Sequence, residues 1–162
     1  MAGSDPVIRR VREPDLAAVV GLVYELAEFE RVPQECQLTP EQLREALFGP
    51  EPTLFGHVAE LDGTVVGCAL WFLNYSTWKG SPGIYLLDLY VQAGHRGHGL
   101  GRGLLAALAA ESCRRGLAGL EWSVLDWNQP AIAFYRSLGA QRVDGWTTYQ
   151  LTGDALTALG KD

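Results

Sequence analysis

Residues 96–101 read Arg96-Gly97-His98-Gly99-Leu100-Gly101 and join an apolar, strand-like run to a long helix rich in Ala and Leu. Glycines at every second position let backbone N–H groups approach a ligand closely, and a helix that begins here adds the positive end of its dipole. These two features predict a strand–loop–helix unit whose loop binds an anion, with a diphosphate as the best candidate. The alternative is a glycine-rich turn without a ligand, although such a turn needs one glycine rather than three.

The spacing of the glycines argues against two common nucleotide sites. A Walker A loop closes with Gly-Lys-Ser/Thr, whereas Gly101 is followed by Arg102, so the lysine and the magnesium-binding hydroxyl are missing. The dinucleotide fingerprint G-x-G-x-x-G lies early in a βαβ unit, whereas these glycines alternate about two-thirds along the chain. Neither nucleotide hydrolysis nor dinucleotide binding is therefore expected.

The loop resembles the Arg/Gln-x-x-Gly-x-Gly/Ala motif of the GCN5-related N-acetyltransferase (GNAT) superfamily, with Arg96, Gly99 and Gly101 at the defining positions. The resemblance implies that the loop binds the diphosphate of acetyl-CoA. The residues around it would be Arg96, Gly97, His98, Gly99, Leu100, Gly101 and Arg102. It also implies that the main chain of the preceding strand, at Leu89, Tyr90 and Val91, binds the pantetheine arm and the thioester.

A second segment carries the same resemblance. Residues 128–135 match the Asn-x-x-Ala-x-x-Phe-Tyr pattern with which many of these enzymes bind coenzyme A. The match implies that Asn128 and Pro130 contact the cofactor. It also implies that Tyr135 protonates the leaving thiolate, since a phenol keeps its proton at neutral pH. The alternative is that Tyr135 is a core aromatic of its helix.

Further segments are similar to the diamine acetyltransferases, and within that group to the thialysine N-epsilon-acetyltransferase branch. They are residues 75–80, 84–91, 124–129, 138–141 and 145–146. The likeness implies a transferase that uses acetyl-CoA to acetylate a primary amine of a small molecule, by direct attack within a ternary complex. Diamines, polyamines, thialysine and related amino acids are the implied substrates, and a homodimer is the implied assembly.

The resemblance also implies an amine pocket. Phe29 and Glu30 stand at the end of the first helix, where Glu30 can hold a distal ammonium group of the substrate by a charge-assisted hydrogen bond. Trp78 and Trp146 would offer aromatic faces to the same cation, and Trp122 would make a further substrate contact. The alternatives are a solvated helix end for Glu30 and plain packing for Trp78.

The chain departs from the family at the general base. The family has a Glu-Asp pair in the strand before the loop and favours the glutamate as the base, whereas this chain has Leu87-Asp88. Because side chains alternate along a strand, Asp88 can replace a glutamate at position 87 only if the strand is bulged or a water bridges the gap. Asp88 is the first candidate for the base, followed by Glu30 and Asp126. The missing carboxylate also predicts a substrate that is less cationic than those of the resembled enzymes: a monoamine, an amino acid side chain or a small amine antibiotic.

Two other functions stay open. An acyl-CoA-binding protein of the same fold with little or no transfer, such as a sensor or a degenerate paralogue, is the alternative that Leu87 favours. Acetylation of protein lysines is the third possibility, although no feature of the sequence indicates a peptide groove.

The composition fits a small enzyme. With 162 residues the chain is long enough to bury a core, and we expect a single domain over residues 1–162. Apolar runs fall short of the about 20 residues of a membrane span, which predicts a cytoplasmic protein without a membrane partner. Cys36, Cys68 and Cys113 lack metal-ligand spacing and are interpreted as reduced thiols, so no metal is expected. The net charge of −6 argues against a nucleic-acid partner.

Hydrophobic periodicity and cap residues predict the element order β-α-α-β-β-β-α-β-α-β. Strands are expected at 7–11, 54–61, 64–73, 84–91 and 120–125, with a last hairpin over about 140–151, and helices at about 14–30, 39–49, 99–115 and 129–138. The fold class is α/β (α+β), a mixed, mostly antiparallel sheet with helices on both faces. The almost wholly apolar strand 84–91 is expected at the centre of the sheet. The family resemblance implies that the fourth and fifth strands splay apart.

Overall fold

The computed structural model describes residues 5–161 of the chain. The elements are β1 (Val7–Arg10), α1 (Leu16–Phe29), α2 (Pro40–Phe48), β2 (Phe55–Leu61), β3 (Thr64–Ser76), β4 (Ser81–Val91), α3 (Leu100–Arg115), β5 (Leu120–Glu121), α4 (Gln129–Ser137) and α5 (Gly153–Leu159). The described chain divides into two compact units, one that ends at Ser123 and one that begins at Val124. The first unit contains the sheet with α1, α2 and α3, and the second contains α4 and α5.

The sheet has the strand order β1-β2-β3-β4-β5, and its first three pairings are antiparallel. The parallel pairing of β4 with β5 covers only Ile84 opposite Leu120 and Tyr85 opposite Glu121. Because β4 continues to Val91, the two strands are no longer paired and diverge beyond these two positions. The predicted mixed sheet with splayed fourth and fifth strands is therefore confirmed.

Local signals in the sequence give the correct ends of several elements. Thr39 and Gln42 form the predicted capping box of α2, with the Gln42 N–H donating to Thr39 Oγ1 at 3.2 Å and the Thr39 N–H donating to Gln42 Oε1 at 3.0 Å. Asp62 and Gly63 both have positive φ, +52° and +79°, as a two-residue hairpin turn between β2 and β3 requires. Gly116 ends α3 in the left-handed conformation.

Helices cover both faces of the sheet. On one face, a buried apolar cluster joins α1 and α2 to β2 and β3; it contains Val19, Leu22, Leu43, Leu47, Val58, Cys68 and Leu70. On the other face lies α3, whose Glu111 accepts a hydrogen bond from Arg10 at 3.0 Å. The Arg10 guanidinium lies over the rings of Phe55 and Trp71 on that same face.

Two predictions about the strands are wrong. β4 is the fourth of five strands and β3 lies in the middle, because an apolar run reports burial on two faces and not the position in the strand order. β5 ends at Glu121 rather than at 125, since it loses its ladder partner where β4 diverges.

The predicted last hairpin is also wrong. Within the described residues, 140–152 form no strand, and α5 follows instead. The large apolar side chains Val143, Trp146 and Tyr149 recur at intervals of three and are all exposed. A strand alternates with a period of two, so this spacing would place them on both faces of a hairpin.

A buried histidine lies beneath α3. The His57 side chain is only 7% exposed, and its Nδ1 accepts a hydrogen bond from Trp71 Nε1 at 3.1 Å. Burial and, to a smaller extent, the positive charge of Arg10 lower the pKa of His57 from 6.5 to about 4, against an opposing effect of Glu111. His57 is therefore a neutral acceptor in the folded protein.

The lowered pKa of His57 predicts a loss of stability in mild acid. Its contribution is fully present above the pKa of the unfolded chain and is lost as the pH falls from 6.5 toward 4, which amounts to about 2 kcal/mol by pH 5. Urea unfolding of the protein and of His57→Gln between pH 5 and pH 8 measures this effect. Gln can still accept from Trp71, and the difference between the two curves cancels other titrating groups such as Asp88. Parallel curves would show that His57 does not carry the effect.

Candidate functional site

The glycine loop connects β4 to α3 and has the backbone conformation that its sequence predicts. After a 3₁₀ turn at Ala93–His95, Gly97 and Gly99 have φ values of +82° and +77°. A Cβ atom at either position would meet open space, so the requirement for glycine comes from the left-handed backbone and not from crowding. The loop can therefore present its N–H groups to a ligand on an open surface.

The start of α3 fits a diphosphate. Gly99 is the N-cap and supplies no side-chain oxygen, and the first intrahelical bond runs from the Gly103 N–H to the Gly99 carbonyl at 2.9 Å. The N–H groups of Leu100, Gly101 and Arg102 precede that bond and have no acceptor within the helix. The Leu100 side chain is buried and anchors the turn, whereas Arg102 is exposed. Unpaired N–H groups, a helix dipole and a nearby cation are what binds phosphate groups in proteins.

A β-bulge lies in β4, nine residues before Arg96 at the start of this loop. Leu70 of β3 is opposite Asp88, whereas the next residue, Trp71, is opposite Leu86. Leu87 is therefore the extra residue on β4, and it is 53% exposed. The condition under which Asp88 can take the place of a carboxylate at position 87 is met, because the strand is bulged at that residue.

The register also determines the face on which Asp88 lies. Residues directly opposite each other in an antiparallel pair share a face, so Asp88 shares the face of Leu70, and Tyr90 that of Cys68. Leu70 and Cys68 belong to the cluster that packs against α1 and α2, and Tyr90 packs against the same cluster. Asp88 therefore lies on the α1 side of the sheet.

The carboxylates of Asp88 and Glu30 interact electrostatically. Burial and, to a smaller extent, the negative charge of Glu30 raise the pKa of Asp88 to about 6. Burial also raises the pKa of Glu30, which caps the C-terminus of α1. A carboxylate whose pKa lies close to neutrality can take up and release a proton during catalysis, and two such groups together attract a cation.

The aromatic members of the predicted amine pocket lie in different surroundings. Phe29 ends α1, next to Glu30, and its ring lies under the Arg96 guanidinium, 5.2 Å from centroid to Cζ. Trp78 lies between β3 and β4 and is 89% exposed, so plain packing in the core, the alternative for it, is wrong. Trp122 follows β5 and is half-buried.

The remaining predicted residues lie in the second unit. Asn128 caps α4, where its side-chain oxygen accepts the Ala131 N–H at 3.4 Å, so its amide NH₂ group is the part that can donate to a ligand. Pro130 lies in the first turn of α4. Tyr135 is half-buried on the same helix, with its ring 5.5 Å from that of Phe134. Trp146 is 75% exposed.

The model of the acetyltransferase (GNAT) family matches residues 21–140. The chain belongs to this family. Thialysine N-epsilon-acetyltransferase of Bos taurus is 35% identical over 164 residues, which cover 94% of this chain and 96% of that protein. L-ornithine N5-acetyltransferase of Arabidopsis thaliana is 40% identical over 100 residues, which cover 62% of this chain and 44% of that protein. An integron cassette protein from the mobile metagenome of V. cholerae has a similar structure, with a TM-score of 0.81, 26% identity and coverage of 99% and 100%.

The family membership confirms the resemblance found in the sequence. The protein is an N-acetyltransferase, acetyl-CoA is its acetyl donor and an amine is the acceptor. In the part of the chain that the structure describes, no helix has both the length and the hydropathy of a membrane span. Among residues 5–161, no cluster of three or more His, Cys, Asp or Glu side chains is arranged to hold a metal ion.

Proposed function

We propose that the protein acetylates the primary amine of a small molecule and prefers an amino acid with a side-chain amine over a polyamine. The observation that carries the proposal is the position of Asp88, next to the bulged Leu87: it lies opposite Leu70, on the side of the sheet on which Glu30 interacts with it. Leu87 itself adds an exposed apolar side chain where the resembled enzymes have a second acidic group. One negative charge fewer favours a substrate with fewer ammonium groups.

The reaction needs a base, a polarised carbonyl and an acid. Acetyl-CoA supplies the acetyl group as a thioester. We assign the base to Asp88, which accepts the proton of the substrate ammonium, so that the free amine forms the C–N bond as the C–S bond breaks. The backbone N–H groups of β4 at 89–91 polarise the thioester carbonyl. Tyr135 donates its proton to the departing thiolate, and the second proton that the nitrogen releases as the amide forms restores the phenol.

The other predicted residues divide between the two ligands. The loop at 96–102 binds the diphosphate, and Asn128 and Pro130 bind the pantetheine arm. Glu30 binds a distal ammonium group of the substrate, and the aromatic contacts of the substrate come from Phe29, Trp78, Trp122 and Trp146. Because the family match at 21–140 crosses the boundary between Ser123 and Val124, we propose that both units act as one catalytic domain.

Two similar proteins support the choice of substrate class. They are named for thialysine and for L-ornithine, each of which is an amino acid whose side chain ends in a primary amine. An amino acid of this kind brings its own carboxylate, so it presents less net positive charge than a diamine or spermidine. That balance suits a pocket from which one carboxylate of the resembled enzymes is missing.

A thiol-release assay with acetyl-CoA tests the proposal. We expect kcat/KM for thialysine and ornithine to exceed that for spermidine and short diamines by about tenfold or more, a difference of about 1.4 kcal/mol that one lost ion pair accounts for. Leu87→Glu should move the preference toward spermidine. A preference for spermidine by orders of magnitude in the unchanged protein contradicts the proposal. Binding of CoA with no thiol release from any amine favours instead an acyl-CoA-binding protein without transfer.

We also propose that the enzyme is a cytoplasmic homodimer. The three cysteines, Cys36, Cys68 and Cys113, are free thiols, which supports a reducing compartment. The homodimer rests on the assembly typical of the resembled family. Light scattering of the purified protein distinguishes a dimer from a monomer of 17.7 kDa.

A further inference from the structure

Arg96 opens the glycine loop in the sequence, yet its side chain turns back toward the sheet. Its Nε donates a hydrogen bond to the Val91 carbonyl at 2.9 Å. Its guanidinium carbon lies 5.2 Å from the centroid of the Phe29 ring and 5.3 Å from that of the Tyr90 ring. Arg96 therefore joins the loop to the last residue of α1 and to β4 through two cation–π contacts and one hydrogen bond.

A second contact joins the end of β4 to α1. Gln92, the first residue after β4, donates from Nε2 to Glu25 Oε2 at 3.2 Å. Glu25 and Phe29 are four residues apart on α1, so they lie on one face of the helix. The segment between β4 and the glycine loop is thus held to the C-terminal half of α1 at two successive turns.

The partners of Arg96 are neighbours of the two carboxylates proposed to bind and deprotonate the amine. Phe29 immediately precedes Glu30, and Tyr90 lies two residues after Asp88 on the same face of β4. A movement of the loop that displaces Arg96 therefore acts on the supports of both carboxylates. The sequence predicts Arg96 only as a diphosphate ligand and does not indicate this contact.

We propose that Arg96 is a positioning residue that couples occupancy of the glycine loop by the cofactor to the order of the amine pocket. The inference rests on the proposed function for the location of that pocket. The N–H groups at the start of α3 bind the diphosphate, and the loop that they fix holds the Arg96 guanidinium over Phe29 and Tyr90. Binding of either ligand then strengthens binding of the other by the same factor.

Calorimetry of thialysine binding with and without saturating CoA tests this coupling, since CoA occupies the loop and carries no acetyl group to react. In the unchanged protein we expect CoA to tighten thialysine binding by about fivefold or more, and in Arg96→Met by less than about twofold. Arg96→Lys keeps the charge without the planar stacking group, so we expect it to retain most of its CoA affinity and lose most of the coupling. Phe29→Leu, which removes one of the two rings, should lose the coupling as well.

Arg102→Met is the matched control, because it removes an exposed arginine from the first turn of α3. We expect it to weaken CoA binding and leave the coupling factor unchanged. If Arg96→Met behaves in the same way, Arg96 is a diphosphate ligand only and the proposal is overturned. A coupling factor of one in the unchanged protein overturns it equally.

Hydrogen exchange separates a failure of this proposal from a failure of the proposed function. If thialysine binds under no condition, the proposed substrate class is wrong, and the effect of CoA on α1 still tests Arg96. We expect CoA to slow amide exchange in residues 22–32 at least about fivefold in the unchanged protein and not in Arg96→Met. Equal slowing in both proteins, or none in either, overturns the role of Arg96.

Discussion

Asp88→Asn is expected to lower kcat by about 10²- to 10⁴-fold, the usual contribution of a general base. An amide has nearly the size of the carboxylate and cannot accept the proton of the ammonium group, which is almost fully protonated at neutral pH. The KM for acetyl-CoA should stay within about threefold, because the diphosphate site is built from the loop and α3. Stopped-flow or steady-state thiol release with thialysine measures both parameters.

The role of Asp88 as the base also predicts how kcat/KM changes with pH. Burial and the charge of Glu30 raise the pKa of Asp88 to about 6, so the side chain is protonated and inactive below that pH and becomes a base above it. kcat/KM should therefore rise as the pH increases through about 6, and Asp88→Asn should lack this limb. In Glu30→Gln the neighbouring negative charge is gone, so the limb should move to lower pH while the KM for the amine rises.

The stability of Asp88→Asn separates loss of chemistry from loss of fold. A carboxyl group whose pKa is raised on folding stabilises the folded state below its unfolded pKa, and that contribution is lost as the pH rises through about 6. At pH 7 the charged Asp88 thus opposes folding, and the neutral amide should leave the free energy of unfolding unchanged or raise it. Urea unfolding at pH 7 measures the difference between the variant and the unchanged protein.

Asp62→Asn is the matched control for Asp88→Asn. Asp62 lies in the hairpin turn between β2 and β3 with a φ of +52°, a conformation that Asn adopts as readily as Asp. It should retain kcat within about twofold. If Asp88→Asn retains more than a tenth of kcat, Asp88 is not the base and the assignment fails.

Signals confined to neighbouring residues were sufficient to predict much of the fold. The capping box of Thr39 and Gln42 and the hairpin at 62–63 depend on residues three or fewer positions apart, so the sequence displays them directly. Family membership likewise follows from motifs with short, fixed spacing. The hairpin expected at 140–151 failed because the apolar side chains of this segment recur at intervals of three and do not alternate as in a strand.

The decisive features of the site depend instead on contacts between distant residues. The bulge at Leu87 exists only relative to Leu70 and Trp71 of β3, and no property of β4 alone indicates it. The sequence shows that Asp88 needs a bulge or a bridging water to replace a carboxylate at position 87, but it does not show whether the strand is bulged. The direction of the Arg96 side chain depends in the same way on Phe29, which lies 67 positions earlier in the chain.

Asp15→Ala is expected to lower the free energy of unfolding by about 3 kcal/mol, because it removes the buried carboxylate of an ion pair whose arginine is half-buried. Asp15 is 7% exposed and accepts two hydrogen bonds from Arg9, Oδ2 from Nη1 at 2.8 Å and Oδ1 from Nη2 at 3.0 Å. Its Oδ2 also accepts the Arg12 N–H at 2.8 Å, which fixes the turn that leads into α1. The hydrogen bonds from Arg9 lower the pKa of Asp15 against the opposing effect of burial.

Arg9 keeps a second partner in Asp15→Ala, which limits the loss. Its Nη2 donates to Glu60 Oε2 at 2.8 Å and its Nε donates to the same oxygen at 3.0 Å, so the guanidinium is not left alone. Asp15→Asn preserves an acceptor for the Arg12 N–H and loses only the charge, so its effect should be smaller, about 2 kcal/mol. Urea unfolding at pH 7 gives both values.

The pair Arg142–Asp144 supplies a stringent comparison for the effect of burial. Its two atoms are 2.7 Å apart, as close as those of Arg9 and Asp15, but both side chains are about three-quarters exposed. Asp144→Asn should change the free energy of unfolding by less than about 0.5 kcal/mol, since solvent screens an exposed ion pair. The lowered pKa of Asp15 also predicts how this effect depends on pH. The stabilisation by Asp15 is present at neutral pH and is lost as acid protonates the folded carboxylate. Asp15→Ala and the unchanged protein should therefore converge in stability in strong acid. Equal small effects of Asp15→Ala and Asp144→Asn at pH 7 would show that burial does not determine how much each ion pair stabilises the fold.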